Sequence, residues 1–189
     1  MANEGFGSFK HLALRFFGAL DPRGPDPEEE AWALGWLVPG EQDLWRRMSG
    51  PDRRHAAGVA RDVASLLADG GPPPGREVMA AALLHDVGKV ESGLGTFSRV
   101  AVTVAAIGLG RDRLTAPPPR SARSAGSLVS AVRERVRQYL THDTIGADLL
   151  RAAGSDPLTV AWAGEHHLPA ERWTVDRRLA DALKAADGD

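Results

Sequence analysis

The stretch Arg76-Glu77-Val78-Met79-Ala80-Ala81-Ala82-Leu83-Leu84-His85-Asp86-Val87-Gly88-Lys89 decides the reading of this chain. From Val78 to Leu84 every residue is apolar, so no polar face is left to meet water. A helix that is apolar all round belongs in the middle of a core. The pattern predicts a helix from about Arg76 to Val87, ended by Gly88 as a C-cap. A buried imidazole at His85 and a buried carboxylate at Asp86 cost free energy unless they are paired, hydrogen-bonded or bound to metal. Adjacent helical residues point roughly 100° apart. One His-Asp pair can therefore address two neighbouring cations, with the two oxygens of Asp86 as the bridge. Two metals about 3.5–4 Å apart form a clamp suited to displacement at phosphorus.

Outward from this core helix, the chain reads as helices separated by Gly and Pro. Asp21 to Pro27 is a turn-rich linker, followed by a helix from about Glu28 to Leu37 with acidic residues in its first turn. Pro39-Gly40 breaks it, and Glu41 to Met48 reads as a second short helix. Ser49-Gly50-Pro51-Asp52 opens a helix to about Ala68, with Val59, Val63, Leu66 and Leu67 as its apolar stripe. His55 shares a face with Val59, Asp62 and Leu66 and is expected to point inward. After the Pro/Gly linker 70–75 and the core helix come an apolar helix over Thr96–Leu109, a mobile Pro-rich loop over 111–124 and a basic amphipathic helix over Ala125–Leu140. His142 to Ala153 is a helix ended by Gly154. Asp156-Pro157 starts another that runs to about His167, and Thr174 to Asp187 is the last. No segment alternates with period 2. The expected fold is all-α, a single-domain helical bundle, with 1–50 as an N-terminal helical extension and 51–189 as the metal-binding domain.

Composition narrows the chemistry. The chain has 189 residues, 43% hydrophobic and 25% charged, enough for one domain with a substantial core. A net charge of -2 does not suit general nucleic-acid binding. The absence of cysteine excludes disulfides, thiolate metal sites and cysteine nucleophiles. A metal must then be held by nitrogen and oxygen, which suits iron, manganese, zinc, cobalt or nickel. Residues 1–20 lack a signal-peptide layout. The most apolar run, Val100–Gly110, is shorter than the about 20 residues that cross a bilayer and reads as a buried helix. A cytoplasmic location is the default expectation.

Five of the six histidines, His55, His85, His142, His166 and His167, fall on or at the ends of expected helices; His11 stands apart as an ordinary surface or core histidine. Ligands converging from several helices make a rigid site in a bundle interior. Arg54-His55, then His85-Asp86-Val87-Gly88-Lys89, then Lys184-Ala185-Ala186-Asp187 resembles the HD-domain superfamily of metal-dependent phosphohydrolases. His142 with Ile145-Gly146, and Glu165-His166-His167, resemble its two-metal subset. The resemblance covers about residues 53–187. It implies that His55, His85, Asp86 and Asp187 hold one divalent ion, and that Asp86, His142, His166 and His167 hold the other. It also implies hydrolysis of a phosphomonoester or phosphodiester by a metal-activated water. The substrate would be a small phosphorylated molecule, a nucleotide among the candidates.

Several alternatives stay open at this level. Capping or solvation competes with ligation at each of these residues. His167 can orient His166 rather than ligate, and Asp181 competes with Asp187 as the last ligand. Lys89 reads either as a cation for a substrate phosphate, part of the catalytic set with Asp86, or as a lysine favoured at a helix C-terminus. Arg111, Arg113, Arg120, Arg123, Arg133, Arg135 and Arg137 can steer phosphates or simply be solvated. Leu168-Pro169-Ala170 stands where the cyclic-di-GMP phosphodiesterase branch has Gly-Tyr-Pro, which argues against that substrate. The same ligand pattern resembles diiron oxygenases of the HD fold, and a regulatory module stabilised by metal is the non-enzymatic reading.

Overall fold

The computed structural model describes residues 22–68, 72–91, 136 and 141–188. Among these residues there are seven α-helices, two short 3-10 turns and no strand. The all-α expectation holds for them. The expected helices 96–109 and 125–140, the loop 111–124, the arginines from Arg111 to Arg137 and His11 lie outside the described residues, save residue 136.

The helices are α1 (Pro27–Gly35), α2 (Pro39–Arg47), α3 (Gly50–Ala68), α4 (Arg76–Leu84), α5 (His142–Ala152), α6 (Pro157–Glu165) and α7 (Arg177–Asp187). Three of the seven starts carry an aspartate side-chain cap. The Asp26 carboxylate accepts from Glu29 N–H at 2.8 Å, and that of Asp156 from Leu158 N–H at 2.9 Å. Asp176 accepts from Arg178 and Leu179 N–H, so α7 begins at Arg177 rather than Thr174. Each such bond satisfies a backbone donor that the helix itself leaves unpaired. Gly154 and Gly188 end α5 and α7 with φ of 76° and 73°, a left-handed conformation that glycine adopts without a Cβ penalty.

Helix α4 is buried from Val78 to Leu84, as its all-round apolarity requires. It packs against both α3 and α6. Helix α5 covers α6 and the 3-10 turn Val87–Glu91, and α7 lies along α3. Thr159 Oγ1 on α6 donates to Glu77 O at the start of α4, and Arg178 on α7 donates to Leu67 O at the end of α3. Ala33, Leu37, Leu44, Trp45 and Met48, from α1, α2 and their ends, share the same buried cluster as α3, α4 and α6. No helix among the described residues is long and apolar enough to cross a membrane.

Three local expectations need correction. Pro39 does not merely break a helix. It opens α2, a position where its missing N–H would have no helical partner anyway. Leu66 is 48% exposed, and the inward face of α3 is Ala56, Val59, Ala60, Val63 and Leu67. The helix phase carries Leu66 and Asp62 to the outside and leaves His55 at the border, half-buried. Gly88 is not a C-cap: α4 stops at Leu84, His85 takes the cap position, and Gly88 sits in the 3-10 turn.

This burial pattern sets unequal sensitivities along the bundle. Leu83→Ala should cost about 2–5 kcal/mol of unfolding free energy in a urea titration. Leu66→Ala should stay within about 0.5 kcal/mol. Equal losses at the two positions would contradict the inward face assigned to α3.

Candidate metal centre

The ends of α4, α6 and α7 converge with the start of α5 and the first half of α3. His85 is the C-cap of α4 and His166 the C-cap of α6. His142 is the first residue of α5, and Asp187 the last of α7. The side chains fall into two groups. His55, His85 and Asp187 form one, and Asp86, His142, His166 and His167 the other; within each, the ligand atoms lie within 4.8 Å of one another. All seven residues expected from sequence are thereby brought together. Asp181 is not among them. It is exposed and pairs with Arg177 at 2.9 Å, one turn away on the surface of α7.

Asp86 joins the two groups through its two oxygens. Oδ1 lies 3.2 Å from His142 Nε2 and 4.0 Å from His166 Nε2, while Oδ2 lies 3.5 Å from His85 Nε2. In the other group, Asp187 Oδ1 is 3.0 Å from His55 Nε2 and 3.5 Å from His85 Nε2. The rings of His85 and His166 meet edge-on across the middle, with centroids 5.4 Å apart. His142 and His167 close the far side, their Nε2 atoms 3.3 Å apart.

Backbone carbonyls set the tautomers of the two deepest imidazoles. His85 Nδ1 donates to Ala82 O at 2.9 Å. His166 Nδ1 lies 3.2 and 3.1 Å from Trp162 O and Ala163 O. A carbonyl only accepts, so the proton sits on Nδ1 and Nε2 faces the centre. Among the described residues, His85 Nε2, Asp86 Oδ1 and His166 Nε2 are sealed from solvent and make no well-aligned hydrogen bond. Three orphaned polar atoms at one point are costly unless something binds them. Two are imidazole nitrogens and one a carboxylate oxygen, a donor set that fits a divalent metal.

The charges point the same way. Burial alone would depress the His85 imidazole, but the Asp86 and Asp187 carboxylates outweigh it and lift it to about 9. The centre therefore favours positive charge beside the two carboxylates. Burial alone would raise both carboxylates. Lys89, His85 and His142 instead hold Asp86 well below its ordinary range, and His85 and His55 do the same for Asp187. His166 is pushed down to about 4, first by burial and then by His85. His167 is lowered too: its residue is exposed at one edge, but its ring packs against His166 and His142. Both keep a free nitrogen lone pair at neutral pH.

Lys89 follows neither of its two expected roles alone. Its ammonium donates to Asp86 Oδ2 from one turn further on, so the cation at this helix end is tied to the carboxylate joining the two groups. Two glycines that sequence reasoning did not connect make the approach of the groups possible. A Cβ on Gly88 would stand 1.8 Å from His142 O and 2.7 Å from Gly146 N. The 3-10 turn behind Asp86 thus rests directly on the backbone of α5, which brings His142 to Asp86. Sequence reasoning also missed the groups that brace the His166-His167 turn. The Glu165 carboxylate accepts from Thr174 N–H at 2.7 Å and from its hydroxyl at 2.6 Å, while the Trp173 indole donates to Glu165 O and Leu168 O. No period or spacing marks these residues; only the folded connector joins them.

The chain matches no family model, no curated protein and no solved structure.

The glycine contact can be tested against an unconstrained helix position. Gly88→Ala forces backbone apart and should lower the thermal midpoint while disturbing the His142 resonances in an imidazole NMR spectrum. Gly58→Ala, with nothing within 4 Å of its added Cβ inside α3, should stabilise by about 0.4–1 kcal/mol. A harmless Gly88→Ala would show that the turn does not need backbone contact with α5.

Proposed function

We propose that this chain is a metal-dependent phosphohydrolase with a binuclear centre. The observation that carries the reading is the convergence of two ligand groups on Asp86, with sealed donor atoms at His85 Nε2, Asp86 Oδ1 and His166 Nε2 that make no hydrogen bond of their own. His55, His85, Asp86 and Asp187 would hold one divalent ion, and Asp86, His142, His166 and His167 the other. When bound, such a pair of ions supplies an activated water near neutral pH and offsets charge on a phosphoryl group. Nitrogen and oxygen donors with no thiolate suit iron, manganese, zinc, cobalt or nickel.

The chain's own residues supply the rest. The carbonyls of Ala82, Trp162 and Ala163 hold the His85 and His166 rings in a single orientation. Their burial, with that of Asp86, keeps bulk water from the rear of the centre and strengthens every charge interaction there. Among the proposed ligands, His167 is exposed and His55 half-buried, so these two are the ones solvent reaches most. Lys89 keeps an ammonium against Asp86, where it adds positive charge for an incoming phosphate. A small phosphorylated molecule, a nucleotide included, fits these features. One observation favours a second reading: the same nitrogen and oxygen donors, with Asp86 between the two groups, also suit a pair of iron ions that react with oxygen. An HD-fold diiron oxygenase is that alternative.

Metal analysis of the chain purified under metal-replete conditions should find about two ions per chain. Phosphate should be released without oxygen from a panel of phosphomonoesters, cyclic nucleotides and dinucleotides. Asp187→Asn should lose about one ion and most of the hydrolysis, whereas Asp181→Asn should keep both. Clearly fewer than two ions per chain sinks the binuclear reading. Oxygen consumption with a mixed-valence iron signal would move the assignment to the oxygenase. Intact metal uptake with no turnover of any kind would leave a regulatory module.

A further inference from the structure

Helix α7 carries Asp187, and α6 ends in His166 and His167, so the two ligand groups depend on where these helix ends stand relative to each other. The helices themselves touch little; α7 packs chiefly along α3. Yet Lys184 Nζ, on α7, donates to the backbone carbonyl of His166 at 3.0 Å. Lys184 lies three residues before Asp187, a spacing that places the two on neighbouring parts of one helix face. The carbonyl it reaches belongs to the residue whose Nε2 is sealed inside the centre without a hydrogen bond. It is also one of the carbonyls that a helix end leaves without an internal partner.

The geometry points to Lys184 as a positioning residue that locks the His166-His167 turn to the Asp187 helix and so sets the separation of the two ligand groups. The ligand roles in this inference rest on the binuclear reading above. The bond is one of several braces on the turn. The connector between α6 and α7 is already closed on itself by the Glu165–Thr174 bonds and the Trp173 indole. Those hold the loop's shape. Lys184 alone of these groups comes from α7 itself, within one turn of a proposed ligand. A lysine at a helix C-terminus can also act only as a cap. A cap would influence stability without any effect on how the centre takes up metal.

Lys184→Met keeps the apolar stem and removes the ammonium; Lys184→Arg keeps a donor of similar reach. Manganese or cobalt titrations should show Lys184→Met weakening uptake at the His142, His166 and His167 group by roughly tenfold, with Lys184→Arg recovering most of it. In the metal-free chain, hydrogen exchange of the backbone amides over 166–168 should speed up in Lys184→Met while α4 is unchanged. Titrations that match the wild type would overturn the proposal. So would equal weakening of all uptake accompanied by general loss of helicity, which is the signature of a structural cap. If the wild-type chain takes up fewer than two ions, the binuclear reading fails, while the exchange comparison still decides whether Lys184 holds the turn.

Discussion

Asp86 places a buried carboxylate just beyond the end of α4, the helix that is buried from Val78 to Leu84. A charge in such a position needs compensation from several directions, and the surrounding structure provides it. Lys89 meets one oxygen from the next turn of the chain. His142 and His166 face the other, and His85 stands between Asp86 and Asp187. These partners come from different elements, so offsetting the charge of one carboxylate draws together the ends of α4 and α6 and the start of α5, with His85 linking on to Asp187 at the end of α7, while Oδ1 itself makes no well-aligned hydrogen bond.

That requirement explains features that look unrelated locally. The turn after α4 has to lie against α5 at backbone distance, which Gly88 and Gly146 permit and a side chain would not. The C-caps of α4 and α6 are histidines rather than the glycine usual at helix ends. At a C-cap, Nδ1 can reach back to the last carbonyls of the helix while Nε2 points beyond it. A helix end thereby orients an imidazole with no further residue. Asp187 is instead the last residue of α7, and its C-cap is Gly188 in the left-handed conformation that stops the helix.

Much of this was legible in the sequence, and the reasons differ from residue to residue. The central position of α4 follows from its apolar residues from Val78 to Leu84, because burial depends on the absence of a polar face. The grouping of His55, His85, Asp86, His142, His166, His167 and Asp187 followed from residue type and order together with a family resemblance. Asp187 was preferred over Asp181 on that resemblance alone, since both lie on one helix, and only the packing of α7 on α3 shows which end enters the centre. The phase of α3 was misjudged at Leu66 because four apolar residues at 59, 63, 66 and 67 span more arc than one neighbour can cover. Gly88 was misread because a glycine after a helix has two uses, a left-handed cap and a close approach, and sequence does not separate them.

The sequence by itself determined the helical pattern seen among the described residues, the apolar run Val78–Leu84, a set of nitrogen and oxygen donors and the absence of any thiolate. These are properties of residue type and period, and they survive any arrangement of the helices. The grouping of those donors around Asp86 was an expectation from resemblance; the tertiary structure alone decided the distances that bring them together, that Lys89 answers one oxygen of Asp86, and that Lys184 ties the end of α6 to α7. Those facts depend on distances between residues far apart in the chain, and such distances are set by how side chains pack and which backbones can touch.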